Sequence, residues 1–160
     1  MIYHSKVIEW AKDKGILTEA SIIPQFKKLF EETGELVSAI TKNREDEEID
    51  AFGDIQVVLI IFCEQLNIDY PVFEANPSKD RQKLELWLIS ELGEIADDLS
   101  LKNAHDNLGV DRDISDFYQY LCFLSIERNV DMVHALKQAW NEIKDRKGKL
   151  VNGSFVRDGK

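Results

Sequence analysis

The chain has 160 residues, 44% hydrophobic and 31% charged, which is the balance of a globular protein long enough to bury a core. Its formal net charge of −10 at pH 7 argues against general nucleic-acid binding, because such binding rests on basic surface that neutralises phosphates. Two cysteines, Cys63 and Cys122, lie far apart and form no CxxC pair, so the sequence indicates neither a zinc site nor a disulfide framework.

No segment has the character of a membrane span or of a signal peptide. The longest apolar stretch, 55–63, is broken by Gln56 and is too short to cross a bilayer. The opening residues, MIYHSKVIEW, lack the apolar core of a signal peptide. We therefore expect a cytoplasmic protein that binds neither membrane nor nucleic acid.

The spacing of apolar residues predicts an all-α fold. Helices are predicted, in chain order, over residues 5–14, 24–42, 48–66, 79–101, 113–128 and 131–146. The helix from Pro24 starts with a good first-turn residue, and the next helix is apolar nearly all round, which predicts a central position. The tail after residue 146 shows no strand alternation, and Gly148 and Gly153 lead us to expect a mobile segment.

An internal repeat relates two parts of the chain. LFEETGELVSAI resembles WLISELGEIADDL at an offset of 59 residues, and GDIQVVLIIFCEQLNID resembles SDFYQYLCFLSIERNVD at an offset of 62. One helical hairpin could not bury its apolar faces alone, but two packed together could. We therefore predict a single domain, 1–160, forming a helical bundle of two related antiparallel hairpins, about 25–69 and 83–131, plus N- and C-terminal helices.

Carboxylates gather on the first hairpin. Glu31, Glu32 and Glu35 project from one side of a helix, because residues three and four apart are neighbours. Alone, such a group is typical of a solvated helix face. Asp50 and Asp54 lie one turn apart on the next helix, and Asp54 falls where a buried face begins. An ionised carboxylate there needs a partner, because burying it unpaired costs several kcal/mol.

A divalent cation would meet that need. The nearby basic residues Lys27, Lys28, Lys42 and Arg44 are expected to flank the carboxylates and not to face them. Mg²⁺ favours a few carboxylates together with water and substrate phosphates. Gly34 and Gly53 each cost about 1 kcal/mol in mid-helix relative to alanine, and we expect them to allow close approach of the two helices.

The second hairpin retains part of this pattern. Ser90 stands where Glu31 would be, so this copy either binds metal or is a structural relic, and the missing glutamate favours the relic. The acidic residues of this possible second site are Glu91, Glu94, Asp113 and Asp116.

QFKKLFEETGELVSAI followed by DAFGDIQVVLIIFCEQLNID resembles the MazG-like, all-α nucleoside triphosphate pyrophosphohydrolases, a family that includes the dimeric dUTPases and phosphoribosyl-ATP pyrophosphohydrolase. The family motif is EExxE on one helix and ExxD on the next. Glu31, Glu32 and Glu35 match its first part and Asp54 its last aspartate. The tail WNEIKDRKGKLVNGSFV also resembles the C-terminus of short, often phage-borne members.

The resemblance implies a Mg²⁺-dependent enzyme, with Mn²⁺ as a substitute, that releases pyrophosphate from (d)NTPs to give (d)NMPs and so cleans the nucleotide pool. By resemblance, Glu31 orients the attacking water. Ala51 stands at the family's third acidic position and cannot ligate, so Asp50, one turn before Asp54, is the nearest substitute. The implied metal ligands are Glu32, Glu35, Asp50 and Asp54.

Candidates for substrate binding lie outside the acidic cluster. The densest basic run follows the last predicted helix, where cations also serve as ordinary helix caps, so both interpretations stay open. Gln25 and Trp10 are candidates for contact with the base, although each residue type is more often core or surface. The full set of expected substrate-binding residues is Gln25, Asn141, Lys144, Arg146 and Lys147.

Partners and alternatives complete the prediction. A homodimer or higher homo-oligomer is expected because members of the resembled family form oligomers and because two hairpins would not fully cover the apolar periphery of 55–62.

The main alternative function is that of a non-catalytic acidic helical binding protein, either a nucleic-acid mimic or a degenerate nucleotide binder. Carboxylates spread over the outer surface would favour that alternative, and carboxylates concentrated in one cleft would oppose it. A MazG-like enzyme for another phosphate ester, such as phosphoribosyl-ATP, is the second alternative.

Overall fold

The computed structural model describes residues 2–19, 21–74, 83–101, 109–151 and 154–158. Within these ranges the chain is mostly helical, which confirms the predicted all-α bundle, and one small antiparallel sheet is added to it. The elements are α1 (Ile2–Asp13), α2 (Ile16–Glu19), α3 (Ile22–Thr41), α4 (Glu45–Leu66), α5 (Leu84–Leu101), α6 (Val110–Glu127), α7 (Met132–Ile143), β1 (Gly148–Val151) and β2 (Ser154–Arg157). Among the helices described, none combines the length and the apolar character needed to cross a membrane.

The chain forms two compact units. The first comprises Met1–Tyr70 together with Met132–Lys160 and holds α1 to α4, α7 and the sheet, whereas the second, Pro71–Asp131, holds α5 and α6. Each unit thus contains one of the two predicted hairpins, α3–α4 in the first and α5–α6 in the second. The grouping of all 160 residues into a single domain stays a prediction.

Helix α4 forms much of the core. Every residue from Ile55 to Cys63 is buried, including Gln56. A polar residue is tolerated there because its Nε2 donates to the carbonyl oxygens of Phe52, at 3.1 Å, and Met132, at 2.9 Å. The expectation that this helix keeps an uncovered apolar periphery is therefore wrong, and the homodimer now rests on the resemblance alone.

Gly53 lets α7 pack closely against α4. A Cβ built on Gly53 would collide with the carbonyl group of Ala135 and press on the side chain of Ala139. The expected close approach of helices at Gly53 is thus present, but the neighbour is α7 and not α3. Gly34 was expected to act in the same way, and that expectation is wrong, because a Cβ on Gly34 would meet no atom of the described residues within 4 Å apart from its own stretch of helix.

Both hairpins end in the same way, which supports the predicted repeat. Asn67 after α4 and Asn129 after α6 occupy the repeat-equivalent position, and both are left-handed, with φ of 56° and 57°. In each copy the amide of the next residue donates to the carbonyl five positions back, at 3.0 Å in the first and 2.8 Å in the second. Asparagine tolerates this conformation better than most residues, so the two caps share one physical cause.

The tail is a β-hairpin, so the expectation that it holds no strand is wrong for its described residues, whereas its mobility stays a prediction; Gly153 lies outside the described residues. Leu150 pairs with Phe155 and Gly148 with Arg157, and directly paired residues lie on the same face of the hairpin. Leu150 and Phe155 pack against the hydrophobic cluster of the first unit, which anchors the hairpin to the helices. Arg157, two residues beyond Phe155, shares that inner face.

Alanine at Gly53 and at Gly34 should change stability in opposite directions. Gly34→Ala should stabilise the protein by about 0.5–1 kcal/mol, because the site is open and glycine is a poor mid-helix residue. Gly53→Ala should destabilise it by about 1–3 kcal/mol, because the added methyl group overpacks the contact with α7. Urea unfolding followed by circular dichroism measures both changes. Equal stabilisation by the two substitutions would contradict the close contact.

Candidate functional site

A groove of about 840 Å³ runs across the first unit. It is bounded by residues of α1, α3, α4, the end of α7 and β2. The groove brings together seven residues that the sequence singled out for metal, catalytic or substrate contacts, namely Trp10, Gln25, Glu31, Glu32, Glu35, Asp54 and Arg146.

Buried negative charge dominates one part of this groove. Glu32 on α3 is only 4% exposed, and Asp54 on α4 is partly buried. Burial, together with the charges of Glu32 and Asp50, raises the pKa of Asp54 to about 7, although Arg146 offsets a part of the rise. Ionising all of these carboxylates together is therefore unfavourable unless positive charge is brought to them.

Lys28 supplies part of that positive charge. Its Nζ lies 2.7 Å from Oε1 of Glu32 and 3.1 Å from Oε2 of Glu31. The expectation that Lys28 flanks the carboxylates without facing them is therefore wrong. Burial by itself lowers the pKa of Lys28, but the hydrogen bonds and charges of Glu32 and Glu31 outweigh it and raise the pKa overall. Burial raises the pKa of Glu32, and Lys28 compensates in part.

Asp50 lies on a second, smaller cavity of about 370 Å³. Glu31 and Glu35 line both cavities, so the carboxylates continue from one into the other. Oδ1 of Asp50 is buried and has no hydrogen-bond partner among the described residues. Glu47 also lines this cavity, and the sequence analysis missed it, although it stands one turn before Asp50 on the same helix.

An apolar wall completes the groove. Trp10 of α1 and Phe155 of β2 meet edge to face, with ring centroids 5.6 Å apart, beside Val57 and Ile61 of α4. Arg157 lines the same groove, and the sequence analysis did not single it out because the hairpin that carries it was not predicted.

Three of the expected substrate-binding residues do not line the groove. Lys144 and Asn141 are exposed, and Lys144 Nζ donates to Asn141 Oδ1 at a long 3.4 Å. Lys147 is exposed at the base of the hairpin, where its carbonyl oxygen accepts from the amide of Asp158 at 2.9 Å. The structure therefore divides the basic run, with Arg146 inside the groove and the lysines outside it.

The second unit carries its acidic residues on α5 and α6. Asp113 is buried, and its Oδ1 accepts from Nε and Nη2 of Arg112 at 3.1 and 3.0 Å. A protein cation therefore already neutralises the buried carboxylate of this copy. The interpretation of the set Glu91, Glu94, Asp113 and Asp116 as a second site or a relic stays a prediction.

The carboxylates of the first unit fit a divalent cation in charge and in donor chemistry. Asp50 offers a buried oxygen that accepts from none of the described residues, and Asp54 lies among like charges that a cation would relieve. In the described part of the chain, no three acidic, histidine or cysteine side chains already converge as a ligand set. Binding of a cation therefore requires side chains to rearrange, and Lys28 is the one that holds Glu32 and Glu31 now.

Comparisons with known proteins find a phage relative. No family model matches the chain, and no solved structure matches it. The chain is similar to a protein of Haemophilus phage HP1 (strain HP1c1) described as "Uncharacterized 18.2 kDa protein in rep-hol intergenic region", with 41% identity over 61 residues. The match spans 38% of this chain and 37% of the relative.

A double-mutant cycle should detect the coupling between Lys28 and Glu32. Without divalent cations, Lys28→Met should lower stability by about 0.5–1 kcal/mol, because Glu32 stays buried and loses its partner while Lys28 itself is half exposed. Adding Glu32→Gln should recover part of the loss. Urea unfolding in EDTA measures the four proteins of the cycle.

Lys27→Met is the matched control for this cycle. Lys27 is the exposed neighbour of Lys28, and the described residues give it no ion pair, so stability should stay within about 0.5 kcal/mol. A coupling energy near zero between Lys28 and Glu32 would show that the ion pair does not hold the carboxylate in solution.

Proposed function

We propose that the protein is a Mg²⁺-dependent nucleoside triphosphate pyrophosphohydrolase of the MazG-like kind, acting on the cytoplasmic nucleotide pool. One observation carries this proposal: carboxylates from two helices, arginines from the tail and an apolar aromatic wall line a single groove. A nucleoside triphosphate combines a polyanionic chain, which binds metal, with a largely apolar planar base. The three kinds of surface in the groove correspond to these parts of the substrate.

The acidic residues divide into two roles. Glu32, Glu35 and Asp54 would hold the metal, with Asp50 as a further donor, once Lys28 releases Glu32. When bound, Mg²⁺ neutralises phosphate charge and lowers the pKa of a coordinated water. Glu31 is exposed at the edge of this cluster, in contact with Lys28, and is accessible to water in the groove.

The reaction follows from these positions. Glu31 orients a water molecule and accepts its proton while the water oxygen attacks the α-phosphorus. The bond between the α-phosphorus and the bridging oxygen breaks, and pyrophosphate leaves with the electron pair. Arg146 and Arg157 stabilise the charge of the departing pyrophosphate by charge-assisted hydrogen bonds. The products are a nucleoside monophosphate and pyrophosphate.

The grouping of the carboxylates favours an enzyme over an acidic binding protein. A nucleic-acid mimic needs its negative charge on the outer surface, whereas Glu32 is buried and shares the groove with Glu31, Glu35 and Asp54. The resemblance to the family motif supports the same choice and is also the basis for proposing a homo-oligomer. Phosphoribosyl-ATP is the alternative substrate to include beside the common and damaged (d)NTPs.

Removing the proposed metal ligands should abolish hydrolysis without unfolding the protein. Glu32→Gln and Asp54→Asn should each lower kcat by more than about 100-fold, because the metal would lose a charged ligand. Pyrophosphate release, measured with Mg²⁺ and with EDTA over the substrate panel, gives the rates, and circular dichroism reports the helical fold.

Mg²⁺ should also raise the Tm of the wild-type protein, since a ligand bound only by the native state stabilises it.

Glu94→Gln is the matched control, because Glu94 is the repeat-equivalent of Glu35 in the second unit. Its turnover and its Mg²⁺-dependent rise in Tm should equal those of the wild-type protein, whereas Glu35→Gln should lose both. Normal turnover in Glu32→Gln or Asp54→Asn would refute the metal assignment. Loss of the Mg²⁺ response in Glu94→Gln alone would move the site to the second unit.

The tail arginines should act on phosphate binding. Arg146→Ala and Arg157→Ala should each raise KM and lower kcat by about 10-fold or more, because each removes a cation that lines the groove. Lys144→Ala should leave both constants unchanged, since Lys144 is exposed outside the groove. Steady-state kinetics together with thermal unfolding of each variant separates this role from helix capping. Equal kinetic effects of Lys144→Ala and Arg157→Ala would contradict the placement of the hairpin.

A further inference from the structure

Lys28 holds two carboxylates that the proposed metal site also uses. Its Nζ lies 2.7 Å from Oε1 of Glu32 and 3.1 Å from Oε2 of Glu31, so one ammonium group contacts both side chains. Lys28 lines the groove together with Glu35 and Asp54. The protein thus places a cation of its own among the oxygens that a metal would need.

An ammonium group and a metal ion compete for these oxygens. Mg²⁺ binds carboxylate oxygens directly, at about 2.0–2.1 Å, and demands a nearly ideal octahedron of ligands. A metal bound to Glu32 would stand close to the Nζ that contacts the same carboxylate, and the two positive charges would repel each other. Formation of the metal site therefore requires Lys28 to leave Glu32.

Lys28 is able to leave without loss of a contact between helices. Its side chain is 48% exposed and that of Glu32 is 5% exposed, so water can solvate the released ammonium group far better than the carboxylate. Within the described part of the chain, the ion pairs of Lys28 are those with Glu31 and Glu32, and all three residues belong to α3. Its release thus breaks two ion pairs within one helix.

The same lysine also engages the residue proposed to orient the attacking water. Oε2 of Glu31 accepts from Nζ, and an oxygen that accepts from an ammonium group is less available to accept from water. Movement of this one side chain therefore frees a metal ligand and the water-orienting carboxylate together.

We propose that Lys28 is a positioning residue that acts as a built-in counter-ion: it holds Glu32 and Glu31 while the site lacks metal, and the divalent cation displaces it. Lys28 thereby sets the cation concentration at which the site forms and couples metal binding to the release of Glu31. This inference rests on the proposed function, because it names the regulation of the same site. A lysine that only stabilises α3 would not weaken metal binding, so its removal would leave the affinity unchanged or lower it.

The first test measures metal binding without substrate. Mn²⁺ is titrated into the metal-free protein in about 0.15 M salt, where charges without direct contact are largely screened, and EPR spectroscopy measures the free ion. Lys28→Met should bind Mn²⁺ about 2- to 5-fold more tightly than the wild-type protein, the effect of removing one competing ion pair of a half-exposed lysine. Lys28→Arg, which keeps a cation, should not bind more tightly.

Two controls separate direct competition from a general change of charge. Lys27→Met removes the same charge from the same groove, but the described residues give Lys27 no ion pair, so its affinity should stay within about 1.5-fold of the wild-type value. In a Glu32→Gln background, Lys28→Met should no longer tighten binding, because the shared carboxylate is gone. Equal tightening in that background, or in Lys27→Met, would overturn the proposal.

A second measurement uses the wild-type protein and so does not depend on the folding of Lys28→Met. Brief acetylation with acetic anhydride, read by tandem mass spectrometry, gives the reactivity of each lysine. Mg²⁺ should raise the reactivity of Lys28 over the concentration range in which Mg²⁺ binds, because two carboxylates no longer hold the amine, and should leave Lys27 unchanged. Binding of Mg²⁺ with unchanged reactivity of Lys28 would overturn the displacement.

The outcomes separate this proposal from the function on which it rests. Equal affinity of the wild-type protein and Lys28→Met for Mn²⁺ overturns the counter-ion role and leaves the metal assignment standing. Tighter binding by Lys28→Met in a protein that hydrolyses nothing supports the counter-ion role and sinks the enzyme alone. Absence of Mn²⁺ binding in every variant overturns both.

Discussion

Negative charge buried between α3 and α4 is the constraint on which the rest of the first unit depends. Glu32 and Asp54 face a groove whose floor is the hydrophobic core, so water solvates each carboxylate only in part. Each carboxylate therefore needs a positively charged partner. Lys28 pairs with Glu32 from one turn away on α3. Arg146, just after α7, offsets part of the rise in the pKa of Asp54. The helices, the turn after α7 and the groove are thus tied together by one electrostatic requirement. Lys28 and Arg146 neutralise this negative charge only in part, so a positively charged ligand would be attracted to the groove.

The helical architecture could be predicted from the sequence because its signal is local and periodic. The bounds of α3 and α4 lie within three residues of the prediction, since the spacing of apolar residues is read directly from the chain. The repeat was visible for the same reason, and matched left-handed asparagines at the ends of α4 and α6 give it a structural basis. The grouping of four acidic residues in one groove also follows, because each helix places its residues at known angles.

Features that depend on tertiary contacts could not be predicted in the same way. Gly53 contacts Ala135, which lies 82 positions further along the chain, and the sequence around either residue gives no signal of this contact. Two four-residue strands give too short an alternation to detect, and with them Phe155 and Arg157 were missed. The pairing of Lys28 with Glu32 is different, because its four-residue spacing was readable. The pair was nevertheless not predicted, because Lys28 shares its short basic run with Lys27 and was grouped with it.

The first unit is built from two stretches of chain, with the second unit between them. During synthesis α4 therefore emerges long before α7. Gly53 can contact Ala135 of α7 only after all of α5 and α6 has left the ribosome. A ribosome adds about 5–20 residues each second, so this delay lasts several seconds. Throughout that time the apolar side of α4 that α7 will cover has only its earlier neighbours, and the groove lacks Arg146 and Arg157. The nascent protein thus passes through a stage in which the acidic half of the groove exists without its arginines.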